Sequence, residues 1–118
     1  MRSAVGMLTG IVKHTAHNSG SQKAPLAVIT VTYSPGEHLA HLIDSIADAT
    51  ERDVVLVCAD NGSKDGVPQQ AAREHEHVEF LPTGGNIGYG AAINKAAGAL
   101  AGRRQAGAIG DDYFLIVN

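Results

Sequence analysis

The sequence predicts an α/β domain, a mostly parallel sheet with helices on both faces, left incomplete at its last strand. Three observations predict it. Short apolar runs alternate with segments of helical periodicity, which is the pattern of βαβ units and so of parallel strands. Each apolar run ends in a polar cluster, as at the carboxyl edge where such sheets bind ligands. The composition, 44% hydrophobic with a formal charge of −3 over 118 residues, suits one modest domain and lacks the basic stripe of a nucleic-acid binder.

Residues 1–24 read as a flexible extension ahead of a domain at 25–118. Arg2, Lys13 and Lys23 make this start basic and the remainder net acidic, the pattern of a solvated arm. The apolar stretch Ala4-Val5-Gly6-Met7-Leu8 is too short for a secretory signal. No run approaches the roughly 20 apolar residues of a membrane span. The chain is therefore expected to be soluble and cytoplasmic. Cys58, the single cysteine, lies inside an apolar run and is expected to be a buried free thiol.

Leu26 to Tyr33 is apolar and β-branched, a strand buried on both faces. Ser34-Pro35-Gly36 breaks it, and a helix is expected over Glu37 to Thr50, started by Ser34 with Pro35 in its first turn. Leu39, Leu42, Ile43 and Ile46 give that helix its apolar face. Asp53 to Ala59 is a second strand, running into the turn Asp60-Asn61-Gly62-Ser63. A helix over Val67 to His75 and a short strand over Val78 to Leu81 follow. Pro82 to Gly90 is a glycine-rich loop, Ala91 to Ala101 an Ala-rich helix, and Tyr113 to Val117 a fourth strand with nothing in the pattern to flank it.

The chemistry-bearing residues sit at strand ends. Asp60 follows an apolar strand directly, where a carboxylate can accept a hydrogen bond from a ring N–H or a ribose hydroxyl. Equally, it can form a turn by bonding the backbone of Gly62 or Ser63. The loop Gly84-Gly85-Asn86-Ile87-Gly88-Tyr89-Gly90 lets backbone approach a ligand closely and leads into a helix with free N–H groups; it can also be a plain strand–helix connection. Other motifs fail. A calcium loop counted from Asp60 would place Gly62 and Ala71 at ligand positions. A dinucleotide fingerprint would need a glycine where Ile93 stands. The six histidines fall on the extension, helix faces and loops without triad spacing; His75 and His77 could pair on a metal, but they read first as solvated surface side chains.

Together these clusters resemble the family 2 glycosyltransferases. Thr32-Tyr33-Ser34 looks like the end of that family's opening strand, with Val31 and Ser34 as departures. Asp60-Asn61-Gly62-Ser63-Lys64-Asp65-Gly66 is similar to its second-strand motif, and Asn86-Ile87-Gly88-Tyr89-Gly90 with Asn94 to its glycine loop. Tyr113 to Asn118 looks like the strand leading to the metal-binding element. The resemblance implies a GT-A, Rossmann-like fold. It implies donor-nucleotide contacts at Thr32, Tyr33, Asp60, Asn61, Asn86 and Gly88, with Asp60 accepting the base N3–H. It places Asn118 at the edge of the metal motif and implies a divalent cation, Mg or Mn, in the full-length enzyme. No catalytic residue is assigned within these residues. An asparagine at 118 resembles the rhamnosyltransferase branch, and the Ala/Gly/Asp/Arg-heavy composition resembles its actinobacterial enzymes, which move L-rhamnose from dTDP-rhamnose to polyprenyl-diphosphate-linked GlcNAc. This implies a nucleotide-sugar donor, a lipid-linked acceptor and a peripheral place at the inner face of the plasma membrane. The alternatives are a truncated, non-catalytic nucleotide-binding module and a family 2 transferase using a different nucleotide sugar.

Overall fold

The apolar runs become strands because their side chains can be buried on both faces of a sheet, and the segments between them become the helices that cover it. The structure, a computed structural model, describes residues 8–13, 25–105 and 113–117. In chain order the elements are β1 (Leu8–Lys13), β2 (Leu26–Thr32), α1 (His38–Ala49), β3 (Val54–Asp60), α2 (Val67–Glu74), β4 (Val78–Pro82), α3 (Tyr89–Gln105) and β5 (Tyr113–Val117). One sheet has the order β1-β5-β2-β3-β4. β2 pairs parallel with both β3 and β5, and β3 pairs parallel with β4. The chain steps outward from β2 to β4, then returns through α3 to lay β5 on the other side of β2. That reversal makes a topological switch point between β2 and β5.

Alternation along the strands divides the core in two. Val28, Leu56, Cys58, Val78 and Val117 pack beneath Leu39, Leu42 and Ile43 of α1 and Ala71 of α2. Ala27, Ile29, Val57 and Ala59 point the other way, against Ala92, Ala96 and Leu100 of α3. Both sets are buried, so β2 and β3 carry no polar face, as their unbroken apolar runs require. Cys58 is fully buried. Burial, with the nearby Asp60 charge adding to it, pushes its thiol up to about 12.

Three local features differ from the sequence reading. Leu8–Lys13, assigned to a flexible extension, forms β1 and pairs antiparallel with β5, so the last strand is flanked after all. The apolar edge of β5 offers unpaired backbone groups, and a short extended segment satisfies them. The first helix begins at His38 and not just after Ser34; the residue at its N-cap is Glu37, with no side-chain cap. The amides of His38 and Leu39 instead reach the carbonyls of Pro35 and Gly36, and Ser34 is taken up by bonds to another loop. The Ala-rich helix runs from Tyr89 to Gln105, beyond both expected ends.

The face of α3 is made of alanines because the helix lies close on β2 and β3. Ala92 and Ala96 have no exposed surface. Ala96→Leu is expected to push α3 off the sheet and cost about 1–3 kcal/mol. Urea unfolding followed by circular dichroism should show a lower midpoint with an unchanged slope.

Candidate functional site

The register of the strands brings the polar clusters to one edge. Thr32, the last residue of β2, lies beside Asp60, the last of β3, and Asp60 lies beside Pro82 of β4. Three connections, β2–α1, β3–α2 and β4–α3, therefore leave the sheet side by side.

Asp60 ties the first two together. Its side chain is only 3% exposed, so the carboxylate is withdrawn from solvent. Oδ1 accepts from the Thr32 hydroxyl at 2.7 Å and from the Ser63 hydroxyl. Oδ2 accepts from the backbone N–H of Gly62 at 3.1 Å and of Ser63 at 2.9 Å. Four donors fill the sites a carboxylate offers. Burial opposes ionisation, but the bonds from Ser63, Thr32 and Gly62 outweigh it and hold the carboxyl below its ordinary range. Both readings of Asp60 thus meet at one residue: it stands at the carboxyl edge, and its present partners are those of a turn former. Gly62 makes the turn with φ of 105°, a value that L side chains rarely adopt.

Further bonds couple the β2–α1 and β3–α2 loops. The Ser34 N–H donates to Ser63 Oγ at 2.7 Å, and the Lys64 N–H donates to Ser34 Oγ at 2.8 Å. Asp65 accepts from the Gly36 N–H at 2.9 Å and from the Val67 N–H, at the start of α2, at 3.0 Å. Ser34 itself sits at φ of 47°, an uncommon conformation outside glycine that these bonds hold.

The glycine-rich loop joins through Asn61, which is 4% exposed. Its Nδ2 donates to the Gly88 carbonyl at 3.1 Å, and its Oδ1 accepts from the Thr83 hydroxyl at 2.7 Å. Thus Asn61 lies beneath the loop rather than on its surface. Asn86 and Gly88 are exposed, as is Tyr33 at 58%. Tyr33, Ile87 and Tyr89, the exposed large apolar side chains among the described residues, all belong to this edge. Asn118 lies outside the described residues. Thr83 is the participant that sequence reasoning missed; it stood in a loop, and only its place directly after β4 signalled a role.

Volume alone would point elsewhere. A concavity of about 520 Å³ opens at the amino ends of the strands, around Arg52, Asp53, Glu76 and His77. One of about 290 Å³ lies by Thr30, Thr32, His38 and His41 at the carboxyl end of β2. The carboxyl edge is favoured because its polar groups converge through bonds between distant segments. The His75 and His77 rings meet edge to face, with centroids 5.7 Å apart. Among the described residues, no group of three or more His, Cys, Asp or Glu could hold a metal ion, and no helix is long and apolar enough to cross a membrane.

Against known proteins, residues 27–113 match the family described as glycosyl transferase family 2. Two curated relatives, both named N-acetylglucosaminyl-diphospho-decaprenol L-rhamnosyltransferase, come from Mycobacterium tuberculosis strains CDC 1551 / Oshkosh and ATCC 25618 / H37Rv. Each is 45% identical over 97 residues, which cover 79% of this chain and 31% of the relative. The chain thus matches about a third of their length. No solved structure matches it significantly.

The lowered Asp60 carboxyl has a consequence for stability. Its contribution is fully present above the ordinary aspartate value, about 4, and is lost as pH falls through the depressed folded value. Asp60→Asn turns an amide N–H toward groups that themselves donate and is expected to cost about 1–3 kcal/mol at pH 7. Urea midpoints measured from pH 7 down to pH 2 should show the gap between wild type and variant closing at the acid end.

Proposed function

The chain belongs to glycosyl transferase family 2, and from that premise we propose that it supplies the donor-nucleotide half of an L-rhamnosyltransferase acting on a lipid-linked acceptor. The observation that supports this most directly is the joining of three loops at one sheet edge through Asp60 and Asn61. A nucleoside diphosphate needs such a composite surface: a flat apolar contact for the base, acceptors for its N–H, and accessible backbone along the diphosphate. Tyr33, Asp60 and the glycine-rich loop are the residues that would supply them.

The roles follow from placement. Tyr33, largely exposed beside Thr32, offers a ring face to the base. Asp60 receives the thymine N3–H by exchanging one of its four present donors, so binding and a small rearrangement of the Asp60–Ser63 turn go together. Asn86 and Gly88 line the ribose–diphosphate path on the glycine-rich loop. Asn61 acts from below, by holding Gly88.

The donor in this proposal is dTDP-L-rhamnose and the acceptor a GlcNAc diphosphate on a polyprenol, reached at the inner face of the plasma membrane. Inverting transfer calls for a carboxylate base at the acceptor hydroxyl. A divalent cation, Mg or Mn, supplies charge neutralisation at a leaving diphosphate. The described residues do not fit a cation site, since no group of three potential ligands occurs among them. They hold and orient the nucleotide, and the chain alone is expected to bind without turning over.

Isothermal titration tests this reading. The chain should bind dTDP with a Kd on the order of 1 mM, about −4 kcal/mol, and GDP more weakly. Tyr33→Ala, at an exposed position that leaves the core intact, should weaken dTDP roughly tenfold by removing a stacking surface. Equal affinity for GDP, or an unaffected Tyr33→Ala variant, would count against the assigned site. Transfer of rhamnose from dTDP-rhamnose by these residues alone would sink the claim that they are only the donor half.

A further inference from the structure

Glycines bring no side chains with which to hold the shape of a loop. Gly84, Gly85 and Gly88 all lie at positive φ, at 99°, 149° and 92°, so each occupies backbone conformations that cost little to enter and little to leave. None of the three has a neighbour within 4 Å of where a Cβ would stand, so packing does not confine them either. At these glycines, confinement comes through the backbone.

Two buried side chains provide it. Thr83, 4% exposed, follows β4 directly and is fixed there by its N–H, which donates to the Asp60 carbonyl at 2.9 Å. Its hydroxyl lies 2.7 Å from Asn61 Oδ1, 2.8 Å from the Gly85 carbonyl and 3.1 Å from the Asp60 carbonyl. Having one proton, it serves one of these acceptors at a time. Asn61, held by the Thr83 hydroxyl, reaches on to the Gly88 carbonyl, which also accepts the Ala92 N–H in the first turn of α3. Gly88 is thereby held by Asn61 Nδ2, while the Thr83 hydroxyl shares its one proton between Asn61 and the Gly85 carbonyl, so both ends of the loop are tied to the two residues that directly follow β3 and β4. Lys95 Nζ adds a long contact of 3.4 Å to the Thr83 carbonyl from α3.

We propose that Thr83 and Asn61 form a latch that sets the shape of the glycine-rich loop, and that Thr83 is the positioning residue on which donor-nucleotide affinity depends without its touching the nucleotide. The second half of this rests on the nucleotide-binding reading above; the first half does not. The latch joins the loop to the Asp60 strand, so the surface that meets the base and the surface that meets the diphosphate keep a fixed separation.

Thr83→Val keeps the shape of the side chain and removes its hydroxyl; Thr83→Ser keeps the hydroxyl. Backbone order parameters from nitrogen relaxation read the latch directly. In the wild-type chain the amides of Gly84 to Gly88 should approach the rigid value of about 0.85, and in Thr83→Val they should fall below about 0.6. The amides of Gly62 and Ser63, bound to Asp60, should stay rigid in both. If only about a tenth of the molecules then hold the competent loop, the dTDP Kd rises roughly tenfold. Thr83→Ser should restore both readouts. A loop equally ordered in Thr83→Val, or a Thr83→Ser variant as impaired as Thr83→Val, would overturn the latch. Loss of order spread evenly over the Asp60 turn and the loop would also overturn it, showing Thr83 to be a general stabiliser. A wild-type chain that binds no dTDP would refute the nucleotide-binding reading and the affinity half of the proposal, while the order parameters would still decide the latch.

Discussion

Four donors converge on the Asp60 carboxylate, and the carboxyl edge of the sheet is organised around satisfying it. A carboxylate left bare at 3% exposure would be strongly unfavourable, so every donor it has is a structural requirement. The Thr32 hydroxyl arrives only if β2 and β3 pair in the observed register. The amides of Gly62 and Ser63 arrive only if the chain folds back at once, which the positive φ of Gly62 allows. The Ser63 hydroxyl arrives from the same turn and, by accepting the Ser34 N–H, carries the constraint to the next loop. Register, turn and loop packing are three expressions of one electrostatic demand.

One residue further along, the demand becomes neutral and turns the other way. Asn61 presents a donor and an acceptor, and spends them on Gly88 and Thr83, so the glycine-rich loop is drawn in from the opposite side of β3. The edge is thus held from a single strand end: Asp60 gathers the β2–α1 connection and Asn61 the β4–α3 connection. A surface assembled from backbone and small side chains suits recognition of a ligand that is largely diphosphate and ribose. Its bonds run between segments far apart in sequence, so the surface persists only while the sheet beneath it does.

Much of this was legible beforehand, and for identifiable reasons. The unbroken apolar runs of Leu26–Tyr33 and Asp53–Ala59 could only be strands covered on both faces, and the helix of Leu39, Leu42 and Ile43 had the spacing to cover one of them. Asp60, Asn61 and the glycine loop stood out because polar and glycine residues directly after such runs gather at one edge. The sequence did not show what these side chains bond to, since Thr32 and Asp60 are 28 positions apart and meet only through strand register. Ser34 looked like the start of a helix because a serine before a proline often is one; the competing bonds to Ser63 and Lys64 exist only in the folded chain. Thr83 carried no motif. β1 was hidden because a six-residue strand with two glycine or threonine interruptions has no periodicity of its own, and its pairing partner lies some hundred residues away.

Neither outer strand of the described sheet presents a long, straight edge. β4 ends in Pro82, which has no N–H to offer a neighbouring chain, and is only five residues long. β1, on the far side, shifts register between Leu8 and Gly10, so its ladder is not continuous. Open sheets invite other molecules to add strands along straight, uninterrupted borders. Among the described residues one border is short and the other is broken, and the sheet's longest strands, β2 and β3, apolar along most of their length, are both enclosed. Within the described sheet the most apolar segments are kept off the borders by their place in the strand order, not by charge.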